Sequence, residues 1–229
     1  MPDNEIITRA GLRTPRAAAV AGIVFSLLLF AIIALLRSSI PANPLEAGSW
    51  LAANSKPVTL ALNLVPVAGV SFLWFIGVLR DRLGPHEDRF FETVFLGSAL
   101  LFLAMLFVAA AIIGALLFVF AAYPNDMANS INLRVARAFS YNITNVYAVK
   151  MACVFMISTS TVTIRTGMAP RWIAILGLVL ALILLFGSYY IPWSIFVLPL
   201  WVLLLSIYIL IDNFRRPAAA VAQGDGGAS

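Results

Sequence analysis

Polar positions in this chain fall in clusters, and the stretches between them are almost unbroken hydrocarbon. Six runs, roughly residues 17–36, 58–79, 91–122, 141–164, 172–189 and 193–211, approach or exceed the about 20 mostly apolar residues that a helix needs to cross a bilayer. The pattern predicts an all-α polytopic membrane protein with six transmembrane helices forming a single domain over residues 1–216. A tail over 217–229, PAAAVAQGDGGAS, is Ala- and Gly-rich with no apolar period and is expected to be disordered and cytoplasmic. SSIPA before Asn43 is similar to a signal cleavage site. The first run is longer than the about 7–15 apolar residues of a signal peptide, so it is read as a retained span.

Two connections on one side carry helical patterns of their own. In residues 37–57, Asn43-Pro44-Leu45-Glu46 has the cap, the first-turn proline and the early acid of a helix start. After YPND at 123–126, Met127, Ile131, Val135 and Phe139 recur at helical spacing, with Asn132, Arg134 and Arg137 on other faces. Both segments read as short amphipathic helices on the outer membrane surface; the second reads equally as the start of the fourth span. The third run raises a question of length. About 30 residues make roughly 45 Å of helix against about 30 Å of hydrocarbon, and tilt alone would have to reach about 48°, beyond the usual range. A bend at Gly114, cover of 116–122 by the outer segments, or a partner protein would each resolve it. Pro66 and Pro199, about two turns into the second and sixth runs, predict helix kinks.

Composition agrees with the pattern: 62% of the 229 residues are hydrophobic and 11% charged, with a mean hydropathy of +0.98. Charge then sets the orientation. Arg9, Arg13, Arg16, Arg80, Arg82, Arg89, Arg165, Arg171, Arg215 and Arg216 fall on one side, against Arg37, Lys56, Arg134 and Arg137 on the other. Lys and Arg accumulate on cytoplasmic loops, so both termini are expected in the cytoplasm. The net charge of +5 is spread over helix ends and forms no single patch, which argues against nucleic acid.

The one basic residue inside a span is Lys150. Counting back from Arg165 puts it about 7 Å below the outer boundary, from where its side chain, leaning toward the helix N-terminus, can snorkel to the interface. The other reading has it facing an outward-opening cavity with Asn145, Tyr147 and Asn63 as polar neighbours, where it would bind an anionic or carbonyl-bearing group. No acid lies at matching depth to pair with it. Hydroxyls at 158–163, STSTVT, are expected to bond their own i−4 carbonyls. Cys153 stands alone, His86 is the single histidine, and no phosphate loop, HExxH or GxSxG is present. No cofactor, metal site or enzymatic activity is therefore expected.

The loop GVLRDRLGPHEDR at 77–89 carries a local likeness. Gly77, Asp81, Arg82 and Gly84 stand at the positions of the G-x-x-x-D-R-x-G signature, so this segment resembles the corresponding loop of major facilitator transporters. The resemblance implies a cytoplasmic gate; read physically, Arg80, Asp81, Arg82, Glu87, Asp88, Arg89 and Glu92 can form a mixed-sign, hydrated rim that fixes the hairpin of the second and third helices. The likeness spans eight residues, and Pro85, His86, Glu87 and Asp88 stand where that family continues with basic residues. More broadly, RAAAVAGIVFSLLLF and FIGVLRDRLG followed by EDRFFETVFLGSALLFLAM resemble bacterial hypothetical membrane proteins of about this size. That likeness implies a six-helix inner-membrane fold and no particular activity.

Two functions fit these readings. One is a non-enzymatic protein embedded in the lipid bilayer that binds another membrane protein, or itself as a homo-oligomer, as an accessory subunit. The other is a small-solute transporter, or a half-transporter acting as a homodimer, with an outward-facing cavity near Lys150.

Overall fold

The computed structural model describes residues 3–43, 45–46, 48–81, 89–128, 130–191 and 193–224. All of its regular structure is helical: α1 (Asp3–Ser39), α2 (Ser49–Asp81), α3 (Arg89–Ala122), α4 (Pro124–Ala128), α5 (Ile131–Asn142), α6 (Val149–Thr166), α7 (Arg171–Gly187) and α8 (Val197–Gly224). A π-helical segment, Ile143–Ala148, joins α5 to α6, and a 3-10 turn, Ser194–Phe196, leads into α8. Five stretches are long and apolar enough to cross a membrane: Ala19–Ser39, Trp50–Arg80, Glu92–Ala122, Ile131–Thr166 and Ser194–Asp212. The sixth expected span, α7, has 17 residues and is shorter than these. The last helix continues past Pro217 to Gly224, and residues 225–229 lie outside the described ones.

Packing runs α8–α1–α2–α3–α6–α7 and closes between α7 and α8. Lipid is as apolar as a protein core, so the hydrophobic effect does little to join these helices and shape has to do it. At the centre, the Phe72 ring meets Phe25 of α1 at 4.4 Å, Phe102 of α3 at 5.6 Å and Phe155 of α6 at 5.3 Å between centroids. One α2 side chain thereby registers three neighbours. Close approach does the same between α7 and α8. A Cβ on Gly177 would collide with Trp201 Nε1 and with Ser160 Oγ, and that indole donates to the Ile173 carbonyl at 3.1 Å. Gly97, by contrast, faces open space.

Several local expectations change. The Asn43 segment does not start a helix. The Asn43 side chain instead accepts from the Leu45 N–H at 3.0 Å in a turn, and α2 begins at Ser49. Pro66 lies inside the helix α2, and the non-helical residue there is Asn54 (φ −117°, ψ 16°). Pro57 accounts for it: its ring clashes with the carbonyl four residues back and offers no N–H there. The Asn54 amide uses the break to donate to the Ser39 carbonyl at 2.9 Å, capping the end of α1. Pro199 is the third residue of α8, in the first turn, where a missing N–H costs nothing. Gly114 does not interrupt α3.

The second outer segment is the start of the long helix Ile131–Thr166. Ser130 caps it by accepting from the Leu133 N–H at 3.1 Å. Its apolar stripe points away from the protein: Ile131, Val135 and Phe139 are exposed, while Leu133, Arg137 and Ser140 are buried. Together with Trp50, Leu51 and Met127, Leu133 covers Ile113 and Leu116 of α3. Cover of the overlong helix is thus intramolecular on one face only, since Phe118 remains 80% exposed on another.

Candidate functional site

The densest polar construction in the described residues lies at the end of the bundle opposite Arg80 and Glu92. It is built by the π segment. A π turn bonds i to i+5 and leaves nearby carbonyls without their usual partners. The Asn142 and Asn145 amides turn back to supply them, donating to Ala138 at 3.1 Å and Tyr141 at 3.0 Å. The Ser140 hydroxyl reaches across to the Ala109 carbonyl of α3 at 3.2 Å.

One turn earlier, Arg137 is 3% exposed. Its Nη1 donates to the Glu46 carbonyl at 2.9 Å, and Nη2 donates to those of Pro41 and Asn43, each at 3.0 Å. The guanidinium also lies 5.2 Å from the Trp50 ring centroid. A planar fork suits three carbonyls fanned around it, and this explains why Pro41, Asn43 and Glu46 stay outside a helix: their carbonyls face Arg137 in place of a helix ladder. The sequence pattern places Arg137 only off the apolar stripe, which does not reveal its burial. Only the meeting of two connections about 90 positions apart shows it.

Beside Arg137 is a cavity of about 380 Å³. Its polar lining is Arg37, Arg137, Ser140, Tyr141, Thr144 and Asn145, and Ile33, Leu36, Ile113 and Ile195 form apolar walls. Arg37 is held at the mouth with its guanidinium 4.5 Å from the Trp193 ring centroid. Of the four residues expected to share a cavity, Asn145 alone lines this one. Lys150 and Tyr147 do not line it, and Lys150 has no hydrogen-bond or ion-pair partner among the described residues. Asn63 lies in a separate groove of about 590 Å³ between α2 and α3, with Thr59, Pro66, Gly114 and Phe118.

At the opposite end, Arg80 Nε donates to Glu92 Oε1 at 2.7 Å, tying α2 to α3. Gly77 is exposed with open space around it. Asp81 ends α2 and Arg89 begins α3, whereas Arg82 and Gly84 lie outside the described residues. In the STSTVT run, Ser158, Thr159, Thr161 and Thr163 each donate to the carbonyl four residues back. Ser160 is the exception, buried against Gly177 without a partner among the described residues. Cys153 is a buried free thiol. No three His, Cys, Asp or Glu side chains gather among the described residues.

Comparison with family models, curated proteins and solved structures found no match to this chain.

Proposed function

We propose that this protein is a non-enzymatic, six-span component of a bacterial inner membrane that binds a partner membrane protein, or a second copy of itself, along the α2–α3 groove. The observation that carries this reading is the groove itself. It has room for inserted side chains, exposed Asn63 and Thr59 within a spanning segment, and Phe118 standing out at its edge. The Thr59 hydroxyl is satisfied by the Ser55 carbonyl at 2.8 Å, but the Asn63 amide has no hydrogen bond among the described residues. In hydrocarbon an unsatisfied amide is costly, and a polar group or backbone on a neighbouring helix relieves it.

The sixth span in this reading is α7. Its 17 residues rise only about 25 Å. Exposed Trp172 at one end and Tyr189 and Tyr190 after the other supply the aromatic anchors of two interfaces, and local thinning of the bilayer accommodates the shortfall. An even number of spans keeps both termini on the arginine-rich, cytoplasmic side.

The test is the mass and content of the particle extracted in native lipid discs, with a photo-crosslinking residue in place of Phe118. A second chain of either kind, crosslinked at 118 and lost with Asn63→Leu, is the expected result. A particle holding one 24.8 kDa chain that crosslinks to lipid alone would overturn the reading. A second reading, small-solute transport, draws support from the cavity at the far end of the bundle. It requires uptake or efflux that stops when Ala42 at the cavity mouth is replaced by Trp.

A further inference from the structure

The cavity beside Arg137 has a chemistry of its own, independent of any partner on the α2–α3 groove. Two guanidiniums line it, and no Asp or Glu does. Arg137 spends three N–H donors on carbonyls, leaving one at Nε and one at Nη1 without an acceptor among the described residues. Glu46 acts on Arg137 from outside the lining and offsets part of its charge, and an anion in the cavity would still be attracted by both guanidiniums.

A small inorganic anion would use only the polar half of this space. Ile33, Leu36, Ile113 and Ile195 present hydrocarbon immediately beside the guanidiniums. Beneath them a narrower crevice of about 80 Å³ continues from Ser140 and Thr144 down between Leu29, Leu62 and Leu106. The order of surfaces is therefore charge at the mouth, hydroxyls below it, then an apolar slot running into the bundle. Trp193 and Tyr141 at the rim are residue types that favour the headgroup level. The volume of about 380 Å³ lies within the about 300–1,000 Å³ of small-ligand sites.

We infer that this cavity binds one anionic amphiphile from the outer leaflet, its phosphate or carboxylate against Arg37 and Arg137 and the first methylenes of an acyl chain in the slot beneath. The Arg37 guanidinium is held over the Trp193 ring at 4.5 Å from its centroid. Arg137 is fixed by the loop carbonyls, so the site is formed before the ligand arrives.

The experiment is native mass spectrometry of the delipidated full chain, titrated with phosphatidylglycerol and with phosphatidylcholine of the same acyl chains. The expected result is a preference of about ten-fold or more for phosphatidylglycerol, falling about five-fold in Arg37→Gln. Ala42→Trp, at the exposed mouth, should lose the preference while keeping the wild-type melting temperature. Equal binding of the two lipids would overturn the inference. So would a preference that survives both variants, because the anionic lipid would then sit elsewhere. Displacement of phosphatidylglycerol by millimolar inorganic phosphate would show a small-anion site and overturn the amphiphile.

Discussion

Arg137 of α5 donates to the main-chain carbonyl of Glu46 at 2.9 Å, joining two connections 91 positions apart. With the bonds to Pro41 and Asn43 it fixes the shape of the α1–α2 connection. Replacing it with Met removes three charge-assisted hydrogen bonds and strands their acceptors. The expected loss is about 2–4 kcal/mol, as such bonds and buried orphans carry. Arg137→Lys should recover only part of this, because an ammonium lacks the planar fork. Reversible unfolding in micelles measures both, and an Arg137→Met chain as stable as wild type would mean that the carbonyls find other donors.

The Phe72 hub calls for a smaller number than a water-soluble core would. Phe→Ala costs about 3–5 kcal/mol in such cores, but part of that is transfer from water, which has no counterpart where the surroundings are lipid. Phe72→Ala should therefore cost below about 3 kcal/mol, with Phe72→Leu milder still. A loss of the full soluble magnitude would show that the unfolded reference is hydrated.

Gly177 and Gly114 make a matched pair. A methyl on Gly177 meets Trp201 and Ser160, whereas the nearest atom to a methyl on Gly114 is Leu62 Cδ1 at 3.7 Å, an ordinary contact. Gly177→Ala is expected to destabilise by about 1–3 kcal/mol through overpacking and to shift the tryptophan emission. Gly114→Ala should be neutral or slightly stabilising, since alanine favours the helix. If the two behave alike, the α7–α8 approach is looser than described.

The Arg80–Glu92 pair lies at the edge of the bundle, with side chains 52% and 38% exposed. Screening by water limits such pairs to about 0–1 kcal/mol. A double-mutant cycle with Arg80→Gln and Glu92→Gln should give a coupling in that range that shrinks in high salt. A coupling well above it would mean that lipid headgroups or a partner exclude water there.

How far the sequence alone reaches differs by kind of feature. Spanning helices are legible because crossing hydrocarbon requires about 20 apolar residues in one piece, and five of the six runs lie within such helices. The bonding of Ser158, Thr159, Thr161 and Thr163 to their own helix is equally local and was readable. Of the expected stripe, Ile131, Val135 and Phe139 share an exposed face of α5 whereas Met127 is buried in α4; the direction of the face is not legible in the sequence, because an apolar face suits lipid as well as protein. Pro199 shows the limit of counting from the edge of an apolar run. The break falls at Asn54, ahead of Pro57, and Pro199 moves into a first turn once a 3-10 turn precedes α8. Asn63 and Asn145 appear on facing spans in the sequence, yet α3 and α1 divide the space between them into two openings. Arg37 and Arg137 escaped notice because each alone resembles an ordinary interfacial arginine. Their convergence is a property of the assembled bundle.

The π segment between Asn142 and Val149 acts as a phase shifter. An α-helix advances about 100° per residue, and a π turn carries one residue more than an α turn. Two sectors of one rod, each with its own inward side, are thereby rotated relative to each other: Thr159 and Thr163 face the bundle below, Arg137 and Ser140 above. Shortening the segment by a single residue would still leave Ile131–Thr166 long enough to cross a membrane and every charge its sign. It would also swing Arg137 away from the carbonyls that hold it, so the Arg137 end of the bundle depends on a count of residues that no hydropathy profile records.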